Sequence, residues 1–261
     1  MISNPICLRV KGPFACFTRP EFHVERVSYP VMTPSAARGI LEAILMKPVE
    51  KPEAARRADN VGFTWHILRI GIVEKGFLMP IRRNELGYQR HPSYGNAKGY
   101  DISDSNNRAQ RHSLILKKVE YLIEAVIKLD GLDNRKGSSR LLAKYHSMFV
   151  RRALKGQCFY QPFLGCREFS VSEWGLADNP KDARPDITIN EDFGIMFRDF
   201  EFDAVWDHWG HEQGKPRPKN WQDQRNYTIH PVSKKPLHAV AKDGWITVAR
   251  ISESDDDVED V

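Results

Sequence analysis

The chain has 261 residues, 41% of them hydrophobic and 10% aromatic, with a formal net charge of +5 and a pI near 9.0. That composition excludes a disordered chain, and the length suits one large domain or two small ones whose core needs no disulfide or metal. No apolar run approaches the roughly 18 residues of a membrane span, and residues 1–5 lack the basic and apolar regions of a signal peptide, so the expectation is a cytoplasmic protein without membrane contact.

Charge is unevenly placed. Residues 252–261 (SESDDDVEDV) hold six acids and no base, which leaves +11 on the body, 39 Lys/Arg against 28 Asp/Glu. Such a tail is expected to be disordered. Between Arg108 and Lys155, twelve Lys/Arg face four Asp/Glu. A local excess of this size favours polyanions, nucleic acid above all. The four cysteines (Cys7, Cys16, Cys158, Cys166) show no CxxC spacing, so reduced thiols are expected and no structural zinc site. His208-Trp209-Gly210-His211-Glu212 comes nearest to a metal pattern, but its Gly and flanking Trp suit a packed turn. The expectation is no metal and no cofactor.

In chain order, Ile6, Leu8 and Val10 alternate with Cys7, Arg9 and Lys11, a half-buried strand with a basic open face. Thr33-Pro34 opens a helix as N-cap and first helical residue. Ala37, Ile40, Leu41, Ile44 and Leu45 give it one apolar stripe, and Lys47-Pro48 ends it. Residues 63–73 form a strand. Residues 81–112 carry Arg82, Arg83, Arg90, His91, Lys98, Arg108 and Arg111 with three tyrosines between them and no apolar period, a pattern of basic loop. Cations there would meet phosphates while rings stack on unpaired bases. Residues 117–129 fit both periods, and their β-branched content favours a strand.

Ser138 or Ser139 then caps a second helix to about Lys155. Leu141, Leu142, Tyr145, Met148 and Phe149 form its core side, while Arg140, Lys144, Arg151 and Lys155 share another arc. Short strands are expected around 158–160 and 167–170, and again at 194–202, 226–230 and 245–251. The predicted class is α+β: a ferredoxin-like (RRM-like) βαββαβ domain over 1–191 with the basic loop 81–112 inserted, an antiparallel β extension over 192–251, and the acidic tail.

Several blocks resemble one family. Tyr29–Ile44 (YPVMTPSAARGILEAI), Gln110–Ser113, Lys144–Arg152 (KYHSMFVRR), Gly156–Phe159 and Gln161–Phe169 (QPFLGCREF) are similar to the CRISPR-associated Cas-five family, in the subtype I-C (Dvulg) variant. The resemblance implies a metal-independent endoribonuclease. Its substrate would be precursor CRISPR RNA, cut 3′ of the repeat hairpin. The product would stay bound through its 5′ handle, within a complex that includes a backbone subunit and a large subunit. It also implies a site made of a Tyr ending the first helix and a Lys-His pair before the apolar run of the second. Here the Tyr position carries Leu45. The pair becomes Lys144-Tyr145, with the histidine one place later as His146.

Metal-free cleavage needs a base for the ribose 2′ proton, a cation for the extra phosphoryl charge and an acid for the leaving 5′ oxygen. A histidine, with a reference pKa of about 6.5, suits proton transfer, and a lysine suits charge stabilisation. A phenol, near 10, is a poor base at neutral pH. The candidate catalytic residues are therefore Lys144, His146 and Tyr145. In a regular helix Lys144 and His146 point about 200° apart, so they meet at one phosphate only if the helix starts near Ser147. Candidate RNA contacts are Arg38, Arg108, Arg111, His112, Arg140, Arg151 and Arg152, with Arg9 and Lys11 on the open face of the first strand. The alternative is a non-catalytic cap on the 5′ handle that also binds duplex DNA nonspecifically.

Overall fold

The computed structural model describes residues 1–22, 24–47, 62–86, 103, 105, 108–129, 137–177, 184–201, 232–233, 235–252 and 258–261. Its elements, in chain order, are β1 (Ile6–Ala15), β2 (Arg26–Val27), α1 (Pro34–Ile44), β3 (Thr64–Glu74), β4 (Phe77–Leu86), β5 (Arg108–Lys128) and α2 (Ser138–Leu154). After them come β6 (Glu173–Leu176), β7 (Glu191–Met196), β8 (Phe200–Glu201), β9 (Val232–Ser233), β10 (Leu237–Lys242), β11 (Trp245–Thr247), β12 (Ala249–Ile251) and β13 (Val258–Asp260). The class is mixed α and β, an antiparallel sheet with two helices among the described residues.

The sheet runs β6-β1-β5-β3-β11-β10-β7, with β2 and β4 also paired to β5. β5 holds it together. Its second half lies between β1 and β3, antiparallel to both, with Ile123 opposite Leu8 on one side and Ile70 on the other. Strands flank it on both edges, which settles the ambiguous 117–129 segment in favour of a strand. Its first half pairs instead with β4, from Phe77↔Lys117 to Leu86↔Arg108. The two-residue turn into β4 places Gly76 at φ 73, where a Cβ would lie 2.5 Å from the carbonyl oxygens of Lys117 and Lys118. Only glycine fits there. Residues 81–86 and 108–112, expected as loop, are thus strand: hydrogen bonding across the hairpin supplies the order that their polar sequence hides. Of the rest of the basic segment, 87–107, only residues 103 and 105 are among those described.

α1 follows its sequence closely. Thr33 is the N-cap, its hydroxyl accepting from the Ala36 N–H, and Pro34 opens the first turn. Ala37, Ile40, Leu41 and Ile44 are all buried, as is Leu45 at 1% exposure. α2 begins otherwise than expected. Gly137 at φ 100 is its N-cap and no side chain caps it; Ser138 is already inside the helix and buried. The aromatic core joins α2 to β3: Phe63 lies 5.0 Å from Tyr145 and Trp65 4.7 Å from Phe149, ring centre to ring centre.

Residues 158–160 and 167–170 are not strands. Phe163 makes a single bridge to Ser170, and the edge strand beside β1 is β6, with Leu176 opposite Leu8. The β extension continues the main sheet through β11, whose Ile246 pairs with Ile70 of β3. Residues 226–230 lie outside the described residues. The acidic end is also partly ordered: β13 pairs with β12, and Asp260 forms an ion pair with Arg198 at 3.1 Å. The alternating Ala249–Ile251 edge provides the backbone partners that turn Val258–Asp260 into a strand.

Candidate nucleic-acid interface

α1 ends without a glycine and without a basic residue in its last turn. The last carbonyls of a helix have no partner within it and must find one elsewhere. Here the partners come from α2 and the residues after it. Arg152 donates to the Ile44 oxygen at 2.6 Å, and the N–H groups of Phe159 and Tyr160 both donate to the Ala43 oxygen, at 2.8 and 3.1 Å. The Trp65 indole N–H donates to the Leu45 oxygen at 3.0 Å. Arg152, expected on RNA, is therefore a half-buried cap of α1.

Arg38 is corrected in the same way. Its guanidinium donates to both oxygens of Asp199, at 2.6 and 3.0 Å, and to Glu42 at 2.6 Å. Burial works against its charge, but hydrogen bonds to Asp199 and Glu42 raise its pKa overall. The neighbouring Glu42 carboxyl is itself pushed up by burial, against the pull of Arg38. A cation held between two carboxylates has little left to offer a phosphate. Arg9 and Lys11 likewise face Glu120, at 2.6 and 3.5 Å.

The remaining candidates stay on the surface. Arg140, Lys144 and Arg151 are exposed on α2, and Lys155 is exposed just beyond it. Arg108 and His112 are exposed on β5, and Arg111 is half-buried opposite Arg83. Arg108 also reaches the Ser103 oxygen at 3.4 Å.

The helix is continuous through 143–146, so Lys144 and His146 leave it about 200° apart. Tyr145 lies between them on the inner side, 2% exposed and packed on Phe63, which corrects its candidacy as a catalytic group. Measured across solvent, Lys144 and His146 stand about 160° apart on the two flanks of the outward face of α2. A groove of about 300 Å³ lies on that face, lined by His146, Ser147, Val150, Arg151, Leu154 and Lys155. It brings His146 together with Arg151 and Lys155, while Lys144 shares the arc of Arg151 (about 20° away at 100° per residue).

A second cluster went unread in the sequence. The Cys16 N–H donates to the Leu164 oxygen at 3.0 Å, and a Cβ on Gly165 would meet the Cys16 oxygen at 2.1 Å. This close approach sets Cys166 beside Cys16, with the Thr18 hydroxyl 3.6 Å from each sulfur and Arg26 donating to Cys166 at 3.7 Å. A hydrogen bond from the Cys16 thiol, with Thr18 and the Arg26 charge, lowers the Cys166 pKa, against burial and Glu168. The Cys166 sulfur also lies 3.5 Å from the Cys16 oxygen, a contact in which the protonated thiol donates. The nearby donors and the guanidinium outweigh it. Glu168 binds both Arg26, at 2.8 Å, and Arg83.

Among the described residues no group of three or more His, Cys, Asp or Glu is placed to hold a metal ion, and no helix is long and apolar enough to cross a membrane. His208 and His211 lie outside the described residues.

The family model described as CRISPR-associated protein (Cas_Cas5), in its Cas5d form, matches residues 6–248. The chain belongs to the Cas5d family. It is 39% identical over 241 residues to "CRISPR pre-crRNA endoribonuclease Cas5d" of Thermus thermophilus, covering 92% of this chain and 90% of that one. It is also 39% identical over 212 residues to the protein of the same name from Mannheimia succiniciproducens, covering 77% and 87%. A solved CRISPR-associated protein superposes with a TM-score of 0.56 at 23% identity, over 99% of this chain and 98% of that one. A functionally uncharacterized protein from Streptococcus mutans gives 0.54 at 22%, over 95% and 93%. These two likenesses concern the fold.

Proposed function

We propose that this chain is an endoribonuclease that cuts precursor CRISPR RNA 3′ of the repeat hairpin without a metal. It then holds the 5′ handle as a subunit of a subtype I-C interference complex, with backbone and large subunits as partners. The observation that carries the reading is the 39% identity to two proteins named as pre-crRNA endoribonucleases, spread over nearly their whole length. The strand order β6-β1-β5-β3 around two helices agrees with a ferredoxin-like core, in which the first and third core strands are central.

In this reading an RNA strand crosses the outward face of α2. His146, on one flank of the groove, takes the 2′ proton, and the freed oxygen attacks the adjacent phosphorus as the P–O5′ bond breaks and the leaving 5′ oxygen takes a proton from solvent water. Arg151 and Lys155, which line the groove with His146, stabilise the charge gathering on the phosphoryl oxygens, and Lys144, about 160° from His146 around the helix, holds the strand farther along. Alignment supplies much of the rate, because the nucleophile belongs to the substrate itself. Arg108, Arg111, His112 and Arg140 contact the backbone farther out.

The second reading is a non-catalytic cap on the 5′ handle that also binds duplex DNA. The buried Leu45 in the place of a phenol favours it. One assay separates the two. Purified protein is incubated with its cognate repeat RNA in EDTA and the products are end-analysed. A 5′ fragment ending in a 2′,3′-cyclic phosphate supports the nuclease; RNA bound but uncut supports the cap.

A further inference from the structure

Phe159 and Tyr160 are the most exposed aromatic side chains among the described residues, at 71% and 68%. Sequence reading places them in a short strand, where one ring would turn inward. They stand instead in a non-strand segment with both rings open to solvent. Their position is fixed all the same. Both backbone N–H groups are anchored on the Ala43 carbonyl, the Gln157 N–H on the Arg152 carbonyl at 2.9 Å, and the two rings meet edge to face at 4.6 Å and 79°. Two adjacent exposed rings on an anchored backbone bind a flat partner with little further backbone ordering, which is the physical requirement of a stacking platform.

The surroundings identify the partner. The segment follows directly on Arg151 and Lys155, both exposed, and on the groove they line with His146. Exposed cations at the end of α2, just before open aromatic rings in the chain, match a polyanion that carries planar groups. A base paired within a helix has no free face to offer, whereas an unpaired base does.

We infer that Phe159 and Tyr160 form a base-stacking platform for an unpaired stretch of RNA at the C-terminal end of α2. The inference rests on the reading above that the ligand of this face is RNA. It adds a positioning role: stacked bases would fix the register in which the backbone crosses the groove.

The test compares binding of a ten-nucleotide oligoadenylate with an abasic oligomer of the same backbone. Wild-type protein should prefer the oligoadenylate by about 10- to 100-fold. The Phe159→Ala/Tyr160→Ala protein should bind both alike, with an unchanged salt slope because the phosphate contacts remain. A Phe159→Trp/Tyr160→Trp protein should keep the preference, and a thermal melt of each variant establishes folding. A base preference undiminished in the folded alanine variant, or absent in the wild type, overturns the platform. Wild-type protein that binds no RNA, cognate repeat included, overturns the RNA reading itself.

Discussion

The outward face of α2 and the junction between α1 and α2 draw on the same residue types, arginines beside aromatics, and use them in opposite ways. Arg151 points to solvent beside a groove, while its neighbour Arg152 turns inward and caps α1 through the Ile44 carbonyl. Phe63, Trp65 and Phe149 interlock in the core, while Phe159 and Tyr160 stay open. Arg152 is taken by a helix end that needs it; Arg151 is left exposed beside the groove to serve a ligand. Charge density alone therefore overstates a binding surface, and the partner that each cation already has decides how much of it is available.

The contrast can be broken by mutation. The largest effect falls on chemistry. His146→Ala should slow cleavage of repeat RNA by about 100-fold or more while changing affinity only a few-fold, whereas Lys144→Ala, about 160° away around the helix, should slow it only a few-fold. Single-turnover rates and binding isotherms on the same RNA separate the two quantities, and a fully active His146→Ala protein removes that residue from the site. Arg38→Met should act on stability instead. It leaves Asp199 and Glu42 facing each other without their cation and costs about 3 kcal/mol, read from denaturant midpoints.

Arg152→Ala should cost about 1–2 kcal/mol by leaving a helix carbonyl without its donor, with the salt slope of RNA binding intact. Arg151→Ala should do the reverse. Stability stays within about 0.5 kcal/mol of wild type, while the salt slope falls by roughly 0.7.

Thiol chemistry gives the mildest test. The hydrogen bond from Cys16, with Thr18 and the Arg26 charge, holds the Cys166 thiol below the ordinary range. Its alkylation rate should therefore level off at a lower pH than that of an ordinary thiol, whose rise continues toward about 8.5. Mass spectrometry of peptides labelled across that range reads the difference directly.

Much of the frame is visible in the sequence because its cues are local. The Thr33-Pro34 start and apolar stripe of α1, and the alternation of β1, need no tertiary information. β6 (EWGL) escapes because one residue in four is a β-favouring aromatic and none is β-branched; pairing with Leu8 and Val10 makes it a strand. β10 is short and half polar, and Gly137 replaces the serine cap because the chain enters α2 in a left-handed conformation.

The site is legible in kind but not in allocation. Arg38 finds its carboxylate 161 residues away and Arg152 its carbonyl 108 residues away, distances over which no pattern in the sequence reports a contact. Phe159 and Tyr160 read as strand residues because exposure leaves no periodic mark in so short a segment. The Cys16–Cys166 cluster depends on a close backbone approach at Gly165, which only the fold reveals.

The account turns on the outward face of α2 being the surface that meets RNA phosphates. The most direct measurement is the salt dependence of repeat-RNA binding for wild-type protein beside an Arg140→Ala/Lys144→Ala/Arg151→Ala variant. Three lost phosphate contacts should reduce the slope of log K against log salt by about 2. A folded triple variant with the wild-type slope would place the RNA on another surface and contradict the account.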